Sequence, residues 1–600
     1  MATSVEKCTN WPNLVEMFFD QAERLGDAPM LSQKIDGAWV AISWRAAAQT
    51  VSSVAAGLRA IGIKPGDRVM LVSENRPEWC LADLAIMAAG AVTVPTYITN
   101  TESDHLHILD NSGAVAAIVS TSKLAKGLLA AVYRSKACNI VIGIEALRIG
   151  QESGATLYQW QQLIAENPAN VAATRAGVTA GRSDLACLIY TSGTGGAPRG
   201  VRQHHGAILC NVAGAIAVIE EDFSNTPDSF LSFLPLSHAY EHTCGQFVPM
   251  GLSATIYYAE GLEKLAANME EVKPTLMVVV PRLFEVLRAR IVKTIEKQGG
   301  LAVVLFNQAM RLGRKRYEEQ GLPFWERPFD ALLDRTVRHK VQQRFGGNLK
   351  ALVSGGAPLN PEVGLFFESL GISLLQGYGQ TEAAPLISCN RPRDRIKIHT
   401  VGPALDGVEV KIAADGEIMV RGELVMHGYW QNDEDSAKVL QHGWLLTGDI
   451  GHLDADGHVV ITDRKKDIIV NDKGDNVAPQ RIEGKLTLQT EIVQAMVYGD
   501  RRPYLVGVVV PDPEWAISWA REKGMPTDPI KLHDEPEFQR AVMAAVDRVN
   551  AGVAVVEKVR RVIIADAPFT VENLQMTPSL KIRRHVLKEV YAARLDKLYG

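Results

Sequence analysis

Between Tyr190 and Val201 the chain reads Tyr-Thr-Ser-Gly-Thr-Gly-Gly-Ala-Pro-Arg-Gly-Val, which sets three aliphatic hydroxyls, four glycines and one cation into a single turn. The residues before it, Leu185-Ala186-Cys187-Leu188-Ile189, form a short apolar run of strand length. A buried strand that ends in such a loop belongs to an open α/β sheet, where ligands sit at strand ends. The residue types point to an anion. Backbone N–H groups without Cβ bulk at Gly193, Gly195, Gly196 and Gly200 can approach a phosphate, Thr191, Ser192 and Thr194 donate hydrogen bonds, and Arg199 adds charge.

Spacing excludes two commoner glycine loops. A P-loop requires Gly, four residues, then Gly-Lys-Ser/Thr, whereas Gly195 and Gly200 are followed by Val201 and Arg202. A dinucleotide fingerprint beginning at Gly193 would need its third glycine where Pro198 stands. The bland alternative is a flexible surface turn, and flexible linkers seldom sit directly behind a buried strand.

A chain of 600 residues exceeds what one core usually holds, so two or more domains are expected. The net charge of −5 gives no basic footprint for nucleic acid. The first residues lack a basic stretch followed by an apolar one, and no run approaches the length of a membrane span, so the expected location is cytoplasmic. Seven cysteines without a Cys-x-x-Cys pair read as reduced core thiols. His204, His205 and Cys210 lack a fourth ligand for zinc.

The first third of the chain alternates helical patterns (Trp11 to Leu25, Trp44 to Ile61) with apolar runs such as Arg68 to Val72, an α/β rhythm. Further strands are expected at Thr275 to Val280, Lys350 to Val353 and Ile372 to Leu375. From Arg288 to Phe345 the sequence turns charged and helical, with Arg311 to Gln320 nearly all polar, and reads as a helical excursion on the surface. Between Gly402 and Val470 short strands alternate with Asp415-Gly416 and Asp456-Gly457, both hairpin signals. The run after Asp463-Arg464-Lys465-Lys466-Asp467 is long enough for a small domain, so the boundary is set there: 1–463 and 464–600.

The Tyr190–Val201 loop resembles the signature of the adenylate-forming superfamily, which includes acyl-CoA synthetases, peptide-synthetase adenylation domains and luciferases. Gly195 stands where a second threonine is usual and Arg199 where a lysine is usual. Other segments match in the same order along the chain. Ser237-His238-Ala239-Tyr240-Glu241 resembles the long-chain fatty-acyl-CoA synthetases and implies His238 beside the reacting carboxylate; as an isolated residue it would read as a core histidine. Ser354-Gly355-Gly356-Ala357-Pro358 implies backbone amides toward the acyl carboxylate or α-phosphate. Gln376-Gly377-Tyr378-Gly379-Gln380-Thr381-Glu382 implies Tyr378 at adenine, Thr381 at the α-phosphate and Glu382 on Mg²⁺. Asp449 and Arg464 are implied at the ribose, Lys466 at a hinge, and Lys581, in Thr577-Pro578-Ser579-Leu580-Lys581-Ile582-Arg583-Arg584, at the α-phosphate during adenylation. Unaided, Asp449 is a turn cap, Arg464 and Lys466 are surface charges, and the last segment is a basic run on a terminal helix.

The resemblance implies an α/β fold with a large N-terminal adenylate-forming domain of several subdomains and a small mobile α+β C-terminal domain. It implies a ligase that uses ATP and Mg²⁺ to activate a fatty acid of medium to long chain as acyl-AMP and then passes it to coenzyme A. Val280-Pro281-Arg282-Leu283-Phe284-Glu285 and the helical excursion after it point to the long-chain branch. An aryl-acid CoA ligase and an enzyme loading a carrier-protein thiol stay open as alternatives, as do peripheral contact with a membrane, the source of fatty acid, and the oligomeric state. A nucleotide or lipid sensor without catalysis is the rival from another class.

Overall fold

The computed structural model describes residues 4–147, 154–191, 197–223, 227–577 and 581–600. Ser192, Gly193, Thr194, Gly195 and Gly196 of the signature loop lie outside the described residues.

Two large sheets carry the first four hundred residues. One runs, in spatial order, Thr156–Gln159, Ile140–Gly143, Ala116–Val119, Arg68–Val72, Val92–Thr96, Leu185–Thr191 and Arg199–His204. The other runs Leu386–Cys389, Leu374–Gly379, Ala351–Ser354, Leu276–Val279, Ser229–Ser232, Thr255–Tyr258, Pro29–Ile35 and Ala38–Ser43. Neighbours are parallel except at the edges, where Arg199–His204, Leu386–Cys389 and Ala38–Ser43 each pair antiparallel. Parallel strands are covered on both faces, which explains why Val69, Met70, Leu71 and Val72 are consecutive apolar residues and all buried.

The expected elements are found with small shifts at their ends. Arg68–Val72 is a strand over its expected range, whereas the strand expected at Ile372 begins at Leu374 and extends to Gly379, held by its antiparallel partner Leu386–Cys389. The helix expected from Trp11 starts at Leu14, because the Asn13 side chain accepts from the Glu16 N–H at 2.7 Å and caps it there.

A third sheet, Glu409–Ile412, Glu417–Arg421, Trp444–Leu453, Leu440–Gln441 and Val459–Arg464, follows. Its two Asp-Gly turns are present, with φ +86° at Gly416 and +81° at Gly457. The chain entering it is stitched to the edge strand Arg199–His204: His427 N–H donates to Arg202 O at 3.0 Å and Trp430 N–H to Gly200 O at 2.7 Å. This corrects the reading of Gly200 as a phosphate-facing glycine. It lies in the strand opposite Tyr190, and a Cβ there would meet the Tyr190 ring at 3.1 Å and Trp430 at 3.3 Å.

The helical segment after Pro281 is also corrected. It forms helices Pro281–Gln298, Gly300–Glu318 and Arg327–Leu333 and continues helically to Arg344, but it is no mere surface excursion. Phe306, Ala309, Leu312, Leu333 and Val337 share a buried cluster with Phe366 and Phe367. At its centre Arg338 is 1 % exposed, donates to Ser369 O at 2.7 Å and Ala309 O at 3.1 Å, and pairs with Asp330 and Asp334.

From Ile469 onward a three-stranded sheet, Ile492–Tyr498, Leu505–Pro511 and Val559–Ile564, is sandwiched by helices. Alternation along the strands sends Ala495 and Val497 into one core with Ile482 and Val542, and Met496 into another with Leu587 and Tyr591. The chain is thus a mixed α/β fold with a large N-terminal and a small C-terminal domain. None of the described helices is long and apolar enough to cross a membrane. All seven cysteines are free, and burial pushes the Cys80 and Cys187 thiols well up. His204 caps a helix and stacks on His427 at 4.1 Å, while Nδ1 of His205 accepts from Leu14 N–H.

Removing one partner from a buried ion network costs about 3–5 kcal/mol. Arg338→Ala is therefore expected to lower the thermal midpoint by several degrees; a change within scan error would return this segment to the surface.

Candidate active site

The C-terminal end of strand Leu374–Gly379 is shaped by a glycine: at Gly379 a Cβ would lie 1.8 Å from Pro385 O, so no larger residue fits. Gly377 pairs with Cys389 in the same strand. A single 3₁₀ turn, Thr381–Ala383, then presents Thr381 and Glu382, both half-buried. Tyr378 is 6 % exposed and its hydroxyl donates to Asp449 Oδ2 at 2.7 Å. The other oxygen, Oδ1, accepts from Arg464 Nε at 3.1 Å, the two residues facing each other across neighbouring strands. Tyr378, Asp449 and Arg464 thus form one chain, and its middle carboxylate is buried with charge-assisted bonds on both oxygens.

Glu382 belongs to a second chain. Its Oε1 accepts from the Tyr429 hydroxyl at 2.9 Å, and the Tyr429 ring lies 4.3 Å beneath the Arg199 guanidinium. Arg199 Nη1 donates to Asp435 Oδ2 at 3.2 Å. Lys438 first, and Arg199 after it, pull the Asp435 carboxyl down to about 2. Arg199 opens the strand that pairs with Leu185–Thr191, facing Thr191 itself, so this chain begins where the signature loop returns. Among the described residues no group of three or more His, Cys, Asp or Glu could hold a metal; Glu382 offers a single carboxylate, with no described protein donor on its second oxygen.

The loop Ser354-Gly355-Gly356-Ala357-Pro358 leaves strand Ala351–Ser354. Gly355 is required by packing, since a Cβ would meet the Tyr240 ring at 2.7 Å, and Tyr240 donates to Val353 O at 2.9 Å. Gly356 has φ +81°, and its Cβ position lies 3.8 Å from Cε and 4.0 Å from Nζ of Lys581. Lys581 therefore reaches from the C-terminal domain to a loop of the large one. Desolvation pushes its pKa down to about 8, Arg464 adds to this, and Asp449 and Glu382 oppose it. His238 stands in the same space, half-buried; desolvation, and then the Lys581 charge, push its pKa down to about 3, so its ring is neutral. Its Nδ1 accepts from Tyr240 N–H at 3.1 Å.

Behind Lys581, Thr577 holds the turn: its Oγ1 accepts from Lys581 N–H at 3.1 Å. Three residues on, Arg584 binds both oxygens of Glu483 at 2.8 Å and donates to Val497 O at 3.0 Å. Three further contacts join the domains in this orientation: Asn360 Nδ2 donates to Gly484 O at 2.6 Å, Leu488 packs against the Phe366 cluster, and Lys293 pairs with Glu514. Between the domains Asp467 and Ile468 N–H both donate to Arg464 O, closing a turn that leaves Lys466 exposed. Lys465 pairs with Asp415 at 2.7 Å and Glu417 at 2.9 Å, and burial raises the Asp463 carboxyl to about 6.

The sequence model of the AMP-binding enzyme family matches residues 18–430, and that of the AMP-binding enzyme C-terminal domain matches residues 466–600. The chain belongs to the AMP-binding enzyme family. It is 32 % identical to the long-chain-fatty-acid–CoA ligase FadD15 of Mycobacterium tuberculosis, over 98 % of this chain and 97 % of the relative. It is 29 % identical to the long-chain-fatty-acid–CoA ligase 6 of Mus musculus, over 96 % and 85 %. The fold is that of the A domain of a carboxylic acid reductase from Segniliparus rugosus solved with AMP and a co-purified carboxylic acid (TM-score 0.76, 21 % identity, 99 % and 95 % covered). It is likewise that of the anthranilate CoA ligase AuaEII solved with anthranoyl-AMP (TM-score 0.72, 19 % identity, 98 % and 100 % covered).

In this AMP-binding enzyme the sequence-picked residues Tyr378, Thr381, Glu382, Asp449, Arg464, Gly356, His238 and Lys581 converge, drawn from six segments. Ala357 and Pro358 continue the same loop, and Lys466 stands apart in its turn. Tyr429, Asp435 and Glu483 were not singled out; the Gly428-Tyr429-Trp430 run just before an Asn432 helix cap was the only available hint.

The Lys581 proton gives a pH test. Its pKa lies below the ordinary lysine value, so the half-buried amine loses its proton from about pH 8 upward. The docked orientation thereby gains stability between about pH 8 and the ordinary value, where an exposed lysine still holds its proton. Charge at the site falls over that same window, so kcat/KM for adenylation is expected to drop above about pH 8 in the parent enzyme but not in Lys581→Arg. Parallel profiles for the two would remove the Lys581 charge from the reaction.

Proposed function

We propose that this enzyme activates a medium- to long-chain fatty acid with ATP as acyl-AMP and transfers it to coenzyme A, with release of AMP and pyrophosphate. The supporting observation is the entry of the C-terminal Lys581 ammonium into a pocket edge built by Gly356, Asp449, Arg464 and Glu382. A carboxylate cannot expel hydroxide, and it reaches a triphosphate only if the charge between two anions is neutralised and the attack is held in line. Lys581 and Arg199 would supply positive charge, and the Thr381 and Thr191 hydroxyls would be donors to phosphate. His238, neutral in this setting, can donate to the carboxylate without proton exchange. Asp449 and Arg464 would hold the ribose, Tyr378 backing Asp449 through its hydroxyl. Glu382, oriented by Tyr429, would hold Mg²⁺, whose chemistry is to neutralise and orient the phosphate oxygens.

The fatty acyl substrate is supported by relatives at about a third identity along nearly the whole chain. The aryl-acid and carrier-loading alternatives rest on likeness of fold alone. The test is pyrophosphate release on mixing enzyme, MgATP and palmitate, with AMP then appearing only when coenzyme A is present. Glu382→Gln should slow pyrophosphate release by about 10²-fold or more. Palmitate without effect, beside turnover of an aryl acid, would replace the substrate class.

With Lys581 in this place the coenzyme A thiol would lack room to attack the acyl carbonyl carbon and displace AMP, so the second half-reaction would require the 464–600 domain to swing, with the pivot at Lys466. Proline at 466 fixes φ near about −65° at an exposed position, two residues beyond Arg464. Lys466→Pro is expected to adenylate normally and to accumulate acyl-AMP, with thioester formation reduced by orders of magnitude. A Lys466→Pro enzyme that thioesterifies at the parental rate would place the pivot elsewhere.

A further inference from the structure

The packed helical segment between Pro281 and Phe345 turns one face outward that its own core does not use. Phe324 is 74 % exposed, Trp325 67 %, Leu332 51 % and Phe329 39 %. Among the described residues no other Phe or Trp is as exposed as these three rings. Phe324 and Trp325 meet edge to face at 5.0 Å, forming a projecting aromatic pair at the loop before helix Arg327–Leu333. Phe329 and Leu332 lie one turn apart on that helix, and Arg335 follows one turn further. Four large apolar side chains exposed within nine positions are more than scattered surface hydrophobics and mark an interaction face.

Charge says what covers it. The chain as a whole carries −5, yet residues 281–345 hold fourteen Lys and Arg against seven Asp and Glu. The acids nearest the patch are consumed internally: Glu326 pairs with Lys315, Asp330 with Arg338 and Arg316, and Asp334 with Arg338. The cations beside it are left over, since Arg327, Arg335 and Lys340 are exposed and have no acidic partner among the described residues. A second copy of this face would set a basic lobe against a basic lobe. Exposed aromatic rings flanked by unpaired cations fit an anionic lipid surface, where rings settle at headgroup depth and each nearby cation adds attraction.

We propose that the Phe324–Leu332 face docks the enzyme on the surface of an anionic lipid bilayer. The proposal rests on the fatty-acid reading only in that such a surface is where the substrate partitions; the docking itself requires no catalysis.

The test is co-sedimentation of the full chain with phosphatidylcholine vesicles, with and without a minor share of phosphatidylglycerol. Binding is expected to the anionic vesicles only and to weaken with added salt. Phe324→Ser with Trp325→Ser, and separately Arg335→Glu with Lys340→Glu, should each reduce it by about tenfold or more, going by the affinity that buried apolar area and basic residues lend at a lipid surface. Equal sedimentation of parent and aromatic variant, or none by the parent, overturns the proposal. So does a dimer, measured by light scattering, that the aromatic substitutions dissociate, because the occupant would then be a second copy. Pyrophosphate release from palmitate supplied without vesicles separates the two readings: docking without that activity sinks the fatty-acid reading alone, and activity without docking sinks this one.

Discussion

The burial of one ammonium group governs how the two domains meet. Lys581 leaves water to stand between Gly356 and the Asp449–Arg464 pair, and its lowered pKa records the cost of that move. Two carboxylates, Asp449 and Glu382, offset part of the cost, while Arg464 adds to it. A triphosphate bound there would add the negative charge that Asp449 and Glu382 alone do not supply. The docked orientation is therefore one that substrate would reward, and beyond it the Asn360 hydrogen bond, the Leu488 packing and the Lys293–Glu514 pair also join the domains.

The large domain is built so that such a visitor finds fixed partners. Antiparallel edge strands turn the ends of two parallel sheets back on themselves, at Arg199–His204 and at Leu386–Cys389. The first return carries Arg199 over Tyr429 and so toward Glu382; the second presses Pro385 against Gly379 and sets the turn that presents Thr381 and Glu382. Positions that look chemical in a motif, Gly355 and Gly379 among them, are demanded by close packing against Tyr240 and Pro385.

Much of this was legible in the sequence where local rules decide. Arg68–Val72, the two Asp-Gly turns and the order of the site segments follow from apolar runs, turn chemistry and family resemblance. Gly200 was misread because a glycine-rich run does not reveal which of its members has already entered the return strand. The segment after Pro281 was misread because a polar count over Arg311 to Gln320 hides Leu312, a member of the buried cluster, and Gly313, which packs against Ser369. Tyr429 to Glu382 and Arg584 to Glu483 could not be read at all. Their partners lie 47 and 101 positions apart, and only the folded chain brings them together.

The central claim is that Lys581 serves one orientation and must leave for the other. Single-turnover assay of both half-reactions in Lys581→Ala tests it most directly. Acyl-AMP formation from MgATP and fatty acid should fall by about 10²-fold or more, while thioester formation from supplied acyl-AMP and coenzyme A stays near the parental rate. Equal loss in both half-reactions, or loss in neither, would contradict it.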